Sequence, residues 1–245
     1  MVDIKFIHGD CLEEMPKLAD KSIDMILCDL PYGTTACKWD TVIPFEPLWQ
    51  EYKRLIKDNG AIVLTASQPF TSALVMSNPG WFRYEWIWEK TNAVDFALAK
   101  KRARKMHENI LIFARGNHLY NPQMQAGTPY IDKPRKRTNN IHASTMPKLG
   151  IVNTGTRYPS SVVKISNGNN HIEHPTQKPV ALFEYLIRTY TNEGDTVLDN
   201  CAGSGTTGIA ALHTKRNAIL IEKDEQYFNA AKERFYRETR QVAMW

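Results

Sequence analysis

The stretch Asp24–Thr35 has the sequence Asp-Met-Ile-Leu-Cys-Asp-Leu-Pro-Tyr-Gly-Thr-Thr. Ile23–Cys28 is short and almost entirely apolar, which predicts a strand buried in a parallel sheet. Ligands of open α/β sheets bind at the carboxyl ends of such strands. The next four residues therefore bring a carboxylate, a rigid turn and an aromatic ring to that edge: Asp29, Leu30, Pro31 and Tyr32. An ordinary turn after a strand is the alternative explanation.

This tetrapeptide suits a substrate that carries an amino group. Pro31 biases Leu30 toward an extended conformation, which can turn the Leu30 carbonyl outward beside the Asp29 carboxylate. Two neighbouring acceptors match an NH2 group, and Tyr32 offers a face for a flat ring. The four residues are therefore candidates for catalysis.

Strand and helix patterns alternate along most of the chain. Besides the strand before Asp29, the apolar runs predict strands at 4–7, 61–65, 82–88, 109–113, 196–198 and 218–221, with helices between several of them, one over 51–57. This alternation predicts an α/β fold with a doubly wound, mostly parallel sheet.

The composition indicates a soluble intracellular protein. With 245 residues, 42% hydrophobic and 23% charged, the chain has the profile of a globular domain carrying an inserted lobe. No stretch approaches a membrane span, and the N-terminus lacks a signal-peptide pattern. The four cysteines show no C-x-x-C spacing, so we expect no metal site, no disulfide framework and a reducing cytoplasm.

Positive charge is concentrated in one part of the chain. Residues 91–170 contain 13 Lys/Arg and three acids, a net +10 that leaves −5 for the remainder. Periodicity fails over 116–170, which we predict to be an insertion into a domain formed by 1–115 and 171–245. Two basic clusters are candidate phosphate contacts, although a solvated face would have the same composition: Lys100, Lys101, Arg102, Arg104 and Lys105, then Lys133, Arg135, Lys136 and Arg137.

A glycine motif near the C-terminal end predicts a site for an adenosine cofactor. Gly203, Gly205 and Gly208 form G-x-G-x-x-G between a predicted strand and a predicted helix. Glu222 follows Asp199 by 23 positions and ends the next strand, where a carboxylate can hold ribose hydroxyls. Asp199 would repel a pyrophosphate but attract the ammonium and sulfonium of S-adenosylmethionine (SAM). No lysine follows the glycines, which disfavours a P-loop.

Three motifs in this order resemble one enzyme family. Asp-Leu-Pro-Tyr precedes the basic segment, His-Pro-Thr-Gln-Lys-Pro follows at 174–179, and Asp-Asn-Cys-Ala-Gly-Ser-Gly-Thr occupies 199–206. The combination resembles the β class of DNA amino-methyltransferases, which make N6-methyladenine or N4-methylcytosine from SAM. It covers almost the whole chain and implies a circularly permuted SAM-dependent methyltransferase fold, with 116–170 as the target-recognition segment. Leu30 and Cys201 depart from the family's usual proline and phenylalanine.

The resemblance implies a role for each matching residue. Asp29 and the Leu30 carbonyl would accept hydrogen bonds from the target amine, and Tyr32 would stack on a base flipped out of the duplex. The methyl group would pass directly from sulfur to nitrogen, and Asp29 favours adenine over cytosine. Asp199 with the glycine backbone would hold the methionine part of SAM, Glu222 the ribose and Asp10 the adenine. The full set expected at the cofactor is Asp10, Cys11, Asp29, Thr176, Lys178, Asp199, Cys201, Gly203, Ser204, Gly205, Thr206, Glu222 and Lys223.

The expected partner is double-stranded DNA, and the expected location is the cytoplasm, for a prokaryotic or phage-encoded protein. A homodimer and a cognate restriction endonuclease stay open. Four other functions share parts of this pattern: N4-cytosine methylation, methylation of RNA, protein or small-molecule amines, non-catalytic DNA binding, and nicotinamide-dependent oxidoreduction. The last is disfavoured by Asp199. No Pro-Cys dipeptide occurs, which argues against methylation of cytosine at C5.

Overall fold

The computed structural model describes residues 2–35, 37, 40–94, 96–133, 150–168 and 177–242. The chain divides into two compact units, one formed by 1–121 with 161–245 and the other by 122–160. The strands are β1 (Ile4–His8), β2 (Ile23–Cys28), β3 (Ile56–Ala66), β4 (Phe82–Val94), β5 (Lys105–Phe113), β6 (Gln125–Ala126), β7 (Tyr130–Asp132), β8 (Ile151–Asn153), β9 (Thr156–Arg157), β10 (Val162–Lys164), β11 (Thr196–Asp199) and β12 (Asn217–Glu222).

Six α-helices accompany these strands in the described ranges. They are α1 (Cys11–Glu14), α2 (Phe45–Leu55), α3 (Phe70–Ser77), α4 (Val180–Tyr190), α5 (Thr206–His213) and α6 (Glu225–Val242). None of these helices has the length and apolar character needed to cross a membrane.

The first unit contains an eight-stranded sheet in the order β1-β12-β11-β2-β3-β5-β4-β10. The strands from β1 to β3 are parallel to their neighbours, β5 is antiparallel to β3 and β4, and β10 is parallel to β4. From β11 the chain continues through α5 to β12, whereas from β2 it continues through α2 to β3 on the opposite side. The sheet is therefore doubly wound and mostly parallel, as predicted, and its switch point lies between β11 and β2.

Both faces of the sheet are buried, which explains the continuous apolar run of β2. Ile26 and Cys28 belong to a core formed with α2 and α3, while Met25 and Leu27 belong to a second core formed with α4 and α5. All four side chains have zero exposure. A strand that alternates between two dry faces has no solvent-facing position, so an all-apolar sequence is required.

Helix α2 ends two residues before the predicted end at Lys57. Ile56 instead begins β3 and pairs with Ile23, and the register shifts between Ile23 and Met25. Gly60 lies beside this irregularity, where an added Cβ would be 2.7 Å from the Asp24 carbonyl oxygen. The close approach of two backbones explains why glycine occupies this strand position, where the sequence alone suggested a helix stop.

The second unit, residues 122–160, contains two small antiparallel pairs, β6 with β9 and β7 with β8. The unit begins after residue 116 and ends before residue 170, so it covers less of the chain than the irregular stretch 116–170. The Asn121 N–H donates to the Thr189 carbonyl at 2.7 Å, and Val162–Lys164 pairs with β4. Both flanks are thus bonded to elements of the first unit and belong to it.

We expect Gly205→Ala to destabilise the fold more than the same change at another left-handed glycine. Gly205 and Gly194 have φ of +73° and +86°, where alanine costs about 1–2 kcal/mol. At Gly205 the new Cβ would also lie 3.0 Å from Ala231 Cβ on α6, whereas at Gly194 it would meet nothing within 4 Å. Urea unfolding of both variants measures the difference.

Gly80→Ala is the baseline variant, because its Cβ would meet nothing within 4 Å and it has no left-handed φ. We expect its free energy of unfolding to stay within about 0.5 kcal/mol of the parent. Equal decreases in stability for Gly205→Ala and Gly194→Ala would show that the contact with α6 imposes no constraint.

Candidate active site

A cavity of about 970 Å³ opens at the carboxyl ends of the parallel strands, at the switch point. Asp29 after β2 and Asp199 at the end of β11 both line it, because these neighbouring strands are parallel. Glu222 ends β12 and lines it from the next strand, and Asp10 follows β1. Parallel pairing thus gathers four carboxylates that are distant in sequence.

Each oxygen of the Asp29 carboxylate is held by a neighbouring side chain. The Tyr32 hydroxyl donates to Oδ1 at 2.7 Å, and the Thr65 hydroxyl of β3 donates to the same oxygen. Lys178 Nζ donates to Oδ2 at 2.5 Å. A carboxylate has about four lone-pair positions, so one on Oδ2 can accept from a further donor.

Tyr32 is positioned by its hydroxyl and by its ring. The ring stacks on Phe70 of α3 with centroids 5.1 Å apart and an interplanar angle of 24°. Burial, together with the nearby Asp29 carboxylate, raises the pKa of the Tyr32 hydroxyl well above its usual value. The hydroxyl therefore stays protonated and serves as a donor to Asp29.

Lys178 belongs to a chain of alternating charges beside Asp29 in the cavity. Its Nζ lies 2.5 Å from Asp29 and 3.4 Å from Glu108 Oε2, and Glu108 Oε1 accepts from Lys90 at 2.5 Å. Burial alone would lower the pKa of Lys178, but Asp29 and Glu108 outweigh it and raise that pKa. Burial likewise opposes ionisation of Glu108, yet Lys178 and Lys90 lower its pKa. Lys178 and Glu108 are therefore both charged at neutral pH.

The resemblance placed Lys178 at the cofactor and pointed to neither Glu108 nor Lys90. In the structure, Lys178 contacts Asp29 and Glu108, and its carbonyl reaches the glycine segment, where it accepts from Thr206 Oγ1 at 3.3 Å. The sequence did contain an indication of Glu108 and Lys90, because both are charged residues at buried positions of strands, in β5 and β4. Charges in buried strands need partners, and these two form an ion pair with each other.

A second residue that no motif indicated, Asp40, shapes the chain after Tyr32. Its carboxylate accepts from the backbone N–H groups of Gly33, Thr34 and Thr35 at 2.8, 2.9 and 2.7 Å. Burial works against ionisation of Asp40, but these donors prevail and lower its pKa. The turn that follows the catalytic tetrapeptide is thereby held by one side chain.

Asp199 is a buried acid in the cavity wall beside the glycine segment. Its Oδ1 accepts from the Cys201 N–H at 3.1 Å, and its Oδ2 accepts from the Thr207 hydroxyl of α5. Burial raises its pKa to about 6, against these hydrogen bonds. Because burial opposes ionisation of Asp199, a cationic ligand bound in the cavity would stabilise its charged form.

Glu222 connects the glycine segment to the next helix. Its Oε2 accepts from the Gly203 N–H at 2.7 Å and its Oε1 from the Asp224 N–H at 2.9 Å. Burial raises the pKa of this carboxyl group. Each oxygen has a second lone pair, so Glu222 can brace the backbone and still accept hydroxyl donors from a ligand.

Asp10 and Lys223 form the outer rim. Asp10 caps α1 by accepting from the Leu12 N–H at 2.9 Å, and Lys223 Nζ donates to its other oxygen at 2.9 Å. The hydrogen bond from Lys223 is the main reason that the pKa of Asp10 is lowered. Both residues line the cavity, so they place an ion pair at its rim.

Three cysteine side chains lie close together near Asp199. Cys11 and Cys28 are both neighbours of Cys201, and Asn200 Nδ2 lies 3.6 Å from the Cys201 sulfur. Burial raises the pKa of Cys28 to about 12, and the two thiol partners raise that of Cys201. A small side chain stands here where the resembling family usually has phenylalanine, which gives the three sulfurs room to pack together.

Arg234 of α6 braces the glycine segment, and no sequence motif pointed to it. It is buried, and its Nη1 donates to the Ser204 carbonyl at 3.0 Å, the Ser204 hydroxyl at 3.2 Å and Thr206 Oγ1 at 3.1 Å. With Gly205 left-handed at the start of α5, these bonds hold the loop beside Asp199.

The predicted DNA contacts fall into three groups. Lys100, Lys101, Arg102 and Arg104 are exposed in the connection between β4 and β5, whereas Lys105 begins β5 and donates to Ser67 Oγ at 2.5 Å. Lys133 is exposed in the second unit. Three further DNA candidates lie outside the described residues: Arg135, Lys136 and Arg137. The cofactor candidate Thr176 also lies outside them.

The site offers two chemical regions in one cavity. One contains a hydrogen-bonded carboxylate and a stacked aromatic ring, which suit a flat base with an amino group. The other contains a glycine turn with one buried acid, Asp199, and one half-buried acid, Glu222, which suits a cationic nucleoside. No group of three or more His, Cys, Asp or Glu in the described ranges is arranged to hold a metal ion.

Comparisons with known proteins agree with this arrangement. Type II methyltransferase M.HpaI of Haemophilus parainfluenzae is 29% identical over 254 residues, covering 95% of this chain and 74% of that protein. Type II methyltransferase M1.MboII of Moraxella bovis is 28% identical, covering 94% and 96%.

Solved structures show the same fold. The M1.HpyAVI–SAM complex is 26% identical, with a TM-score of 0.64 over 94% of this chain and 99% of that one. The PvuII cytosine-N4-specific DNA methyltransferase is 17% identical, with a TM-score of 0.71 over 96% and 87%, and shows the fold alone. The DNA methylase profile for N6 and N4 methyltransferases matches residues 23–233. The chain therefore belongs to the N6/N4 DNA methylase family, as the order of its motifs predicted.

Proposed function

We propose that the chain transfers a methyl group from SAM to the N6 amino group of adenine at specific sites in duplex DNA. The observation that carries this proposal is that Asp29 and Asp199 line one cavity from neighbouring parallel strands. One acid suits the target amine and the other a cationic cofactor. The target base leaves the duplex to enter the cavity, and the methyl group passes directly to its nitrogen.

The target amine binds at Asp29 Oδ2. Oδ1 already accepts from Tyr32 and Thr65, while the described donor to Oδ2 is Lys178. An amine N–H bonded to this carboxylate has its lone pair drawn out of conjugation with the ring, which makes the nitrogen a better nucleophile. Tyr32, stacked on Phe70, holds the base in place. Positioning and fixed charges provide the rate enhancement.

The opposite side of the cavity fits SAM, which supplies the methyl group when bound. Asp199 would attract its cationic groups, and ligand charge would offset the burial that raises the pKa of this acid. Glu222 has lone pairs left for ribose hydroxyls, and Asp10 lies at the rim for the adenine. The related M1.HpyAVI was solved in complex with SAM, which supports this assignment.

Adenine is proposed over cytosine because an aspartate begins the catalytic tetrapeptide. A decisive experiment incubates the purified protein with tritiated SAM and host DNA, and then separates the nucleosides. Label in N6-methyladenine supports the proposal, whereas label in N4-methylcytosine reassigns the base. Label found only with RNA would contradict a DNA substrate. Modification-detecting sequencing of DNA from cells with and without the gene then identifies the methylated sequence.

We expect Asp29→Ala to lower methyl transfer by at least about a hundredfold, because the fixed acceptor for the reacting amine is removed. The SAM dissociation constant should change by less than about threefold, since Asp199, Glu222 and Asp10, which are proposed to hold the cofactor's functional groups, stay in place. Radiolabel transfer and calorimetric titration of SAM measure the two quantities. Asp58→Ala, which removes an exposed aspartate elsewhere, is the control. A parallel decrease in SAM affinity would place Asp29 in the cofactor site instead.

We expect SAM binding to strengthen as pH rises toward 6 and then to level off. The pKa of Asp199 is about 6, and only its ionised form attracts a cation. Below this pH the dissociation constant should rise by up to about tenfold per pH unit. Asp199→Asn should bind weakly and lack this step. Titrations between pH 5 and 8 test the assignment, and an unchanged pH profile in the variant would contradict it.

We expect the exposed lysines between β4 and β5 to contact phosphates. Lys100→Ala with Lys101→Ala should reduce the log–log salt slope of DNA binding by about 0.9 for each phosphate that no longer has a cation beside it. Lys5→Ala with Lys17→Ala removes the same charge from exposed positions outside the basic region and serves as the control. Equal slopes for the two double variants would show that the cluster is a solvated face.

The remaining predictions about partners and domains stay predictions. These are a homodimer, a cognate restriction endonuclease, and target recognition by the basic segment 116–170, of which Lys133 is one described residue. DNA footprinting with deletion of 122–160, the second unit, would test the last of these.

A further inference from the structure

The connection between β4 and β5 carries an aromatic side chain that the activity described above does not use. Phe96 is 79% exposed, the highest value for a large apolar side chain in the described part of the chain. Single exposed apolar side chains are common on protein surfaces, so exposure alone gives Phe96 no role. Any role depends on what lies around the ring.

Phe96 is held out on an ordered turn. The Ala99 N–H donates to the Phe96 carbonyl at 3.1 Å, and the Lys101 N–H donates to the Leu98 carbonyl at 2.8 Å. Arg104 lies 5.6 Å from the centre of the Phe96 ring and donates to the Ala93 carbonyl at 2.7 Å. The ring is therefore supported by a cation that is itself bonded to the backbone.

The same connection begins at the edge of the active-site cavity. Val94, at the end of β4, lines this cavity together with Asp29, and Lys90 and Glu108 line it from strands β4 and β5. Phe96 is two residues beyond Val94. Phe96 thus lies close along the chain to the wall that would receive the target base.

Its surroundings indicate the kind of partner. Residues 96–105 contain five basic side chains and no acid: Lys100, Lys101, Arg102, Arg104 and Lys105. An apolar ring surrounded by cations fits a polyanion with stacked flat rings inside, since the charges meet phosphates and the ring meets bases. An anionic lipid surface also binds cations and aromatic rings together, but the chain belongs to a DNA methylase family, which favours nucleic acid as the partner.

We propose that Phe96 inserts into the DNA duplex and fills the space that the flipped target base leaves. Extrusion of a base breaks its stacking on two neighbours, and an inserted aromatic ring restores part of that contact. Phe96 contacts the duplex and does not contact the reacting atoms, so it acts on extrusion and leaves methyl transfer itself unchanged. This inference rests on the proposed DNA substrate.

The test compares two duplexes that contain the methylated sequence. In one, the target base is paired, and in the other it lies opposite an abasic site, so that it is already unpaired. We expect Phe96→Ala to lower kcat/KM on the paired duplex by about tenfold or more, and on the abasic duplex by less than about twofold. Phe96→Trp should retain activity on both, because it keeps an aromatic ring.

Met76→Ala is the matched control, since Met76 is 71% exposed on α3 and lines no part of the cavity. It should equal the parent protein on both duplexes. Equal decreases for Phe96→Ala on the two duplexes, or no decrease on the paired one, would overturn the inference. A parent protein that methylates neither duplex overturns the proposed function and this inference with it, whereas an active parent with an unaffected Phe96→Ala variant overturns this inference alone.

Discussion

Parallel pairing between β11 and β2 is the constraint on which the active site depends. These strands are joined in the middle of the sheet, with Val197 opposite Met25 and Leu198 opposite Ile26. Their carboxyl ends therefore lie side by side. The helix that follows β2 packs on one face of the sheet, and the helix that follows β11 packs on the other. The crevice between those two strand ends can hold a cofactor on one side and a base on the other without any further rearrangement of the fold.

The two sides of this crevice offset the cost of buried charge in different ways. Around Asp29, the charges of Asp29, Lys178, Glu108 and Lys90 alternate in sign, so each charge is offset by a protein neighbour. Around Asp199, the described donors are a backbone N–H and a hydroxyl, both neutral, and burial raises the pKa of Asp199 to about 6. The first arrangement is complete in the protein alone, whereas the second is completed by a positively charged ligand.

Local patterns predicted the sheet, the glycine turn and the position of Asp29–Tyr32 at the end of β2, because each depends on residues that are close in sequence. They missed Glu108, Lys90, Asp40 and Arg234, whose importance comes from partners that only the fold brings near. Lys178 shows the same limit. The resemblance of its motif implied a role at the cofactor, but only the fold shows that its side chain contacts Asp29 and Glu108.

The order of the strands in the sheet has a consequence for biosynthesis. β1 is made before the other strands, yet the strand beside it in the described sheet is β12, which is made last. One of the two neighbours of β2 is β11, which is also synthesised much later than β2. Through most of translation the nascent chain exposes unpaired strand edges and half of an apolar core, which are surfaces that chaperones bind and that aggregate when left uncovered. The fold thus closes only after the glycine segment is synthesised, so the binding crevice and the finished sheet form together.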